Sequence, residues 1–200
     1  MPILLFAVLA STSVIGATIT FEDYPVTVSN EPLQVITSHG YEFRGIMLLR
    51  DDSYPHIPNN GSKILVHESL YALTVSAMAG LSFDLLSVRV AEGRNIDTGF
   101  FDFSARSVRF LGNKVSGAPV ELVFNLDLQA SEDVAGDFET IHFGGFDGLA
   151  SLEIIGQGGV SRSSFALDDV VLVPEPSNAL MWGLVLAWPS RRSRGKVPTI

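Results

Sequence analysis

Cysteine is absent from this 200-residue chain, which rules out disulfide staples, thiolate nucleophiles and thiolate metal sites. Charge is sparse, at 18% Asp, Glu, Lys and Arg, and uneven, with 13 basic against 22 acidic side chains. No segment repeats apolar residues at helical spacing and there is no tandem repeat, so neither a helical bundle nor a solenoid is expected. No nucleophile elbow or recognisable acid-pair motif is present, so hydrolase chemistry has no positive support. The glycine run at 156–159 lacks the strand-to-helix setting of a phosphate cradle and reads as a flexible hairpin turn.

What the chain does contain is 13 Phe, 18 Gly and 10 Pro, a strand-and-turn composition. Short alternating segments separated by turn residues predict about ten strands, at 18–21, 41–49, 64–66, 72–77, 81–91, 107–111, 120–128, 140–143, 151–155 and 165–172. Residues 53–62 read as a loop. In the segment at 120–128, Val120, Leu122, Phe124, Leu126 and Leu128 fall on one face and belong in a core, while Glu121, Val123, Asn125 and Asp127 fall on the other. In the segment at 81–91, Phe83, Leu85, Ser87 and Arg89 share one face and Leu86, Val88 and Val90 the other. Such strands, joined by Gly-rich turns without helical crossovers, predict an all-β domain, a sandwich of two antiparallel sheets of the jelly-roll type.

Both ends read as addresses. Residues 3–10 are an apolar run, followed by Ser11, Thr12, Ser13 and a small-residue site at Gly16-Ala17. This is the pattern of a secretory signal peptide cleaved after Ala17, although no Lys or Arg precedes the run; the competing reading is a buried first strand. The body is then 18–173 and the tail 174–200. Pro174 and Pro176 fix their own backbone angles and remove two amide donors, so no helix or central strand is expected to pass that point. From there to Arg191 no side chain beyond Glu175 is charged, and a helix over 177–190 would reach about 20 Å where ~30 Å is needed to span a bilayer, so it is a marginal anchor. Arg191, Arg192 and Arg194 follow and would stay on the cytoplasmic side. Removing the tail takes away three Arg, one Lys and Glu175, leaving 9 basic against 21 acidic residues and a net charge of −12, which repels nucleic acid and anionic lipid.

Val173-Pro174-Glu175-Pro176-Ser177, the apolar segment and the Arg-rich end together resemble the PEP-CTERM sorting signal. The resemblance implies an exported chain whose tail is recognised and cleaved by an exosortase-like transpeptidase of exopolysaccharide-making Gram-negative bacteria, after transient inner-membrane contact. Pro189 interrupts the apolar run and Gly195 to Ile200 extend past the arginines, both departures from the usual pattern. A Pro-rich linker before an ordinary short tail anchor is the competing reading. The body is similar to a domain type of PEP-CTERM proteins related to galactose-binding-like and carbohydrate-binding-module jelly rolls. That likeness is carried by Ile19-Thr20-Phe21-Glu22-Asp23, Gly40-Tyr41-Glu42-Phe43, Phe83-Asp84-Leu85-Leu86-Ser87 and Phe165-Ala166-Leu167-Asp168-Asp169-Val170.

The acidic pairs Glu22-Asp23, after the first strand, and Asp168-Asp169, in the last, are the strongest candidate site. First and last strands of a sandwich commonly lie together, and hard oxygen ligands suit Ca²⁺. The related carbohydrate-binding jelly rolls, which often hold a structural Ca²⁺ near such termini, imply the same. The competing reading is that each pair holds one buried, hydrogen-bonded carboxylate and one solvated one. Asp51-Asp52 reads as a charged turn, Asn60-Gly61-Ser62 as a turn rather than a glycosylation site, and His39, His56, His67 and His142 as solvated or locally hydrogen-bonded side chains. The expected function is a non-catalytic exported surface protein, either an exopolysaccharide-associated matrix protein or a carbohydrate-binding one. The alternatives are a secreted glycan-active enzyme on the same scaffold and an unprocessed, membrane-tethered structural protein.

Overall fold

The computed structural model describes residues 16–24, 32–51, 61–93, 104–127, 138–159 and 163–175. These form eleven strands: β1 (Ala17–Ile19), β2 (Leu33–Ser38), β3 (Tyr41–Arg50), β4 (Ile64–His67), β5 (Leu73–Ala77), β6 (Phe83–Glu92), β7 (Ser107–Lys114), β8 (Val120–Asn125), β9 (Glu139–His142), β10 (Leu149–Gln157) and β11 (Phe165–Pro174). The only helical piece among the described residues is a 3-10 turn at Met78–Gly80. All strand pairs are antiparallel, in the order β8-β7-β10-β5-β3-β4-β11-β6-β9, with β1 beside β11 and β2 beside β3.

Two layers arise because β3 is shared between them. Its first half, Tyr41–Arg44, pairs with β5, and its second half, Met47–Arg50, pairs with β4 along the same edge. Between the two stretches the chain leaves that edge after His67, held by Glu68 N donating to Ile46 O at 3.0 Å, and returns at Leu73. The sheet divides there: β5, β10, β7 and β8 continue one layer, and β4, β11, β6 and β9 the other. The layers meet again on the far side, where Leu149 of β10 pairs with Phe83 of β6. The sandwich expected from the sequence is therefore one continuous sheet folded over on itself, with barrel-like closure. β2 is a strand that the turn signals did not mark.

The inner faces form one apolar core. Phe21, Phe43, Phe83, Phe110, Phe165, Leu152, Ile154 and Leu167 are among its buried members. Edge-to-face aromatic contacts tie the layers, with Phe21 on Phe43 at 5.5 Å, Tyr41 on Phe83 at 5.6 Å and Phe110 on Phe143 at 5.0 Å. Each such ring removes enough apolar area from water to contribute roughly 1.5–3 kcal/mol, which is how a cysteine-free domain holds together.

β8 alternates as expected, with Val120, Leu122 and Phe124 packed on the core and Glu121, Val123 and Asn125 exposed. In β6 the simple alternation fails. Phe83 and Leu85 are buried, and so are Val88 and Val90, so the inward parity changes across Leu86, which is 46% exposed. The cause is a bulge, since the register against β11 shifts between Val171 and Leu172. A second irregularity lies opposite, between Asp168 and Val171, where Asp169 takes a left-handed backbone with φ 45°.

Candidate functional site

The first and last strands are neighbours: β1 pairs with β11 from Ala17↔Leu172 to Ile19↔Val170. β4 pairs with the same edge of β11 at Phe165–Leu167, so β1 and β4 lie end to end along it. Ser62-Lys63, which leads into β4, meets the turn that follows β1 at this junction. Lys63 N donates to Glu22 Oε1 at 2.7 Å, and Lys63 Nζ donates to Glu22 O at 2.8 Å and Tyr24 O at 2.7 Å. Ser62 Oγ donates to Asp168 Oδ2 at 2.9 Å. Two of the four candidate carboxylates thus meet adjacent residues of one segment.

The bulge in β11 sends the second acidic pair apart. Asp168 is buried, while Asp169 is partly exposed and forms an ion pair with Arg89 at 3.3 Å. Glu22 and Asp23 are both exposed. The split comes with the irregularity itself, since Asp169 takes a left-handed backbone with φ 45° where the register against β6 shifts. Among the described residues, no group of three or more His, Asp or Glu side chains could hold a metal ion. One oxygen each of Glu22, Asp168 and Asp169 is taken by a donor of the chain itself, Lys63 N, Ser62 Oγ and Arg89 respectively, which sets three of the oxygens a calcium ion would use against the ion.

The tail begins inside the fold. Pro174 is the last residue of β11, facing Phe83, and Glu175 continues the contact: its N donates to Ser82 O at 3.0 Å and its Oε2 accepts from Ser82 Oγ at 2.6 Å. Strand pairing therefore reaches the first proline of the tripeptide, one residue beyond the boundary expected from the sequence. Pro176, Arg191, Arg192 and Arg194 lie outside the described residues, as do residues 1–15, while Ala17 opens β1. No helix among the described residues is long and apolar enough to cross a membrane.

The histidines divide. His39 sits in the β2–β3 turn, 2.9 Å from Ser38 Oγ through Nδ1, and His142 is exposed on β9. His67 departs from the sequence reading: it is fully buried, its ring 5.1 Å from that of Phe165, and neither ring nitrogen has a hydrogen-bond partner among the described residues. Gly45 makes room for it, since a Cβ there would stand 3.1 Å from His67 Nε2. Burial pushes the imidazole down from 6.5 to about 4, so the ring is neutral at ordinary pH. His56 and Asp52 lie outside the described residues. Gly156, expected in a turn, belongs to β10, where a Cβ would collide with Ser163 O.

The structure also assembles a surface that the sequence did not single out. The outward side chains of β8, β7, β10, β5, β3 and β2 line up across six strands, with Glu121, Leu111, Glu153, Thr74, Arg44 and Val35 in cross-strand register. At ~4.8 Å per strand this row is about 24 Å long. Asn113 donates from Nδ2 to Ser151 Oγ at 3.1 Å and to Glu153 Oε1 at 3.3 Å, and Arg109 donates to Glu121 at 2.8 Å. The hydrogen bond from Arg109 holds the Glu121 carboxyl below its ordinary value. No aromatic ring lies in this row. Just ahead of β5, however, Tyr71 is 79% exposed beside Leu70 at 60%. Alternation marked Glu121, Val123 and Asn125 of β8 as outward-facing, but nothing local told that these six strands are neighbours.

No family model matches the chain, and no curated protein matches it. Among solved structures, an exo-beta-agarase aligns over 80% of this chain at 10% identity and a TM-score of 0.45. The second N-terminal cellulose-binding domain of Cellulomonas fimi β-1,4-glucanase C aligns over 80% of this chain and 93% of its own, at 14% identity and a TM-score of 0.21. The chain spans 25% of the agarase chain.

Proposed function

We propose that this is a non-catalytic glycan-binding domain of an exported surface or matrix protein, delivered through its C-terminal signal. The observation that carries the binding reading is the six-stranded polar face, with amide, hydroxyl, guanidinium and carboxylate groups at sheet spacing and Tyr71 exposed near its margin. Sugar hydroxyls both donate and accept, so a surface that offers Asn113, Ser151, Thr74, Arg44 and Glu153 together suits them, and an exposed tyrosine supplies an apolar plane for a pyranose face. The acidic balance of the body favours a neutral polysaccharide over a polyanion. In this reading the layers take the jelly-roll form, and exopolysaccharide outside the cell is the partner.

Delivery rests on the tail sequence: the Pro-Glu-Pro tripeptide, the apolar segment and the basic end stand in the order that an exosortase-like enzyme reads, with transient inner-membrane contact before release. Binding of the full chain to a panel of neutral and acidic polysaccharides, followed by affinity electrophoresis with release of reducing ends measured in the same samples, tests the domain. Retardation by a neutral glycan, lost in Tyr71→Ala and weakened in Glu153→Ala, is the expected result. Unchanged retardation in both variants, or turnover of the glycan, overturns it. Delivery is tested separately by the mass of the native protein: a Glu175→Ala chain released with the same C-terminal mass as wild type removes the sorting signal from the account.

A further inference from the structure

We propose that the ammonium of Lys63 is the built-in cation of the turn that follows β1, beside the β1–β11 seam, and that the domain folds without calcium there. β1 and β4 share one edge of β11 end to end, so the ladder is interrupted between them, opposite Asp168-Asp169. The turn after β1 carries Phe21 with a left-handed φ of 60° and closes through Tyr24 N to Phe21 O at 3.2 Å. Its carbonyls at Glu22 and Tyr24 converge on one position, the arrangement a hard cation would use.

Lys63 Nζ occupies that position, at 2.8 Å from Glu22 O and 2.7 Å from Tyr24 O. These are hydrogen-bond lengths to a donor nitrogen, longer than the ~2.3–2.6 Å of calcium to oxygen. The same residue's backbone N takes Glu22 Oε1, and its neighbour Ser62 takes Asp168 Oδ2. Asp169 is turned away to Arg89. The dipeptide Ser62-Lys63 therefore engages two carbonyls and one carboxylate of the turn after β1 and one carboxylate of β11. A lysine ammonium is a compact point charge with three donors, which lets it replace a small ion in a ring of oxygens. Because it is part of the chain, its occupancy does not follow the concentration of free calcium, an advantage outside the cell among polysaccharides that compete for divalent ions.

The test is thermal unfolding of the full chain in a non-ionic detergent, in millimolar calcium and in excess chelator. The wild-type midpoint is expected to move by less than about 1 °C between the two, where an ion at 100 times its Kd would raise it by roughly 5–10 °C. Lys63→Met keeps the apolar stem and removes the charge, and its midpoint is expected to fall by roughly 3–8 °C in either medium. A saturable rise of the wild-type midpoint with calcium overturns the proposal. So does a Lys63→Met chain that melts within about 1 °C of wild type. Should Lys63→Met fail to fold, the wild-type comparison still decides the calcium question. Glu22→Gln, which keeps an acceptor for Lys63 N and both carbonyls for Nζ, is then expected to melt within a few degrees of wild type; its failure to fold would also overturn the proposal.

Discussion

Acidification should destabilise this domain through His67. The ring is buried between strands against Phe165, and protonating it would place a charge where neither nitrogen has a partner among the described residues. Its affinity for a proton falls from the ordinary 6.5 to about 4 on folding, and the cause is loss of solvent. Between those values the unfolded chain binds a proton that the folded chain does not. Stability from this group is therefore fully present above pH 6.5, declines as pH falls towards 4, and levels off below. The gap between 6.5 and about 4, at ~1.4 kcal/mol for each tenfold change in proton affinity, is worth about 3 kcal/mol. That is a large share of the ~5–15 kcal/mol of a typical domain.

The assay is urea unfolding at pH 7.5, 6.5, 5.5, 4.5 and 4.0 on wild type and His67→Leu. Leucine fits a buried site without a titrating group, and every other titratable side chain is common to both proteins and cancels in the difference. Relative to the variant, wild type should lose about 3 kcal/mol across this range, a relative midpoint shift of roughly 1–2 M urea. Parallel profiles for the two proteins from pH 7.5 to 4 would refute the argument and mean that the ring finds solvent or a partner when protonated.

Two further perturbations follow from the packing. Gly156→Ala would drive a methyl into Ser163 O, so it should destabilise by at least 2 kcal/mol in urea unfolding, whereas Gly144→Ala, which meets nothing within 4 Å, should change stability by less than about 0.5 kcal/mol. Ser82→Ala removes the hydroxyl that holds Glu175 Oε2 but keeps the carbonyl that accepts Glu175 N; a loss of about 1 kcal/mol is expected, with hydrogen exchange at the Glu175 amide at least several-fold faster, and unchanged exchange there would detach the tripeptide from the fold.

The all-β, antiparallel character was legible because alternation is a local signal. The inward set of β8 could be written down from residues 120–126 with no knowledge of neighbours. The limits of that signal are visible in β6, where alternation assigned Leu85 with Ser87 and Arg89, while a bulge at Leu86 turns Val88 inward instead. A bulge depends on what the opposite strand does, here the left-handed Asp169 and the shifted register of β11, and no window of β6 alone contains it. The acidic pairs were legible as residues, and so was the adjacency of the first and last strands that carry or precede them. Lys63 was not, since a lysine 41 positions from Glu22 in sequence carries no mark of where its ammonium lands. His67 was misread for the same reason: its burial is decided by Gly45 and Phe165, on two other strands.

One strand links these observations. β11 begins where Ser164 O accepts from both Gly93 N and Ala105 N, and a Cβ on Gly93 would stand 2.5 Å from Ser164, so the entry of the strand is gripped on both sides. It then pairs with β4, breaks at Asp168-Asp169 where Ser62 and Arg89 take the carboxylates, pairs with β1, and leaves through Pro174 with Glu175 tied to Ser82. Every residue from 163 to 175 is thus part of the folded body, and the tail departs from a central strand without a linker of its own among the described residues. Any protein that took hold of Glu175 would have to compete with its two hydrogen bonds to Ser82. The competition is weak by design of the contact: two exchangeable bonds at a strand end open far more often than the ladder behind them. The ladder therefore stays closed up to Pro174, and the contact of Glu175 with Ser82 is the one that yields first at this end of β11.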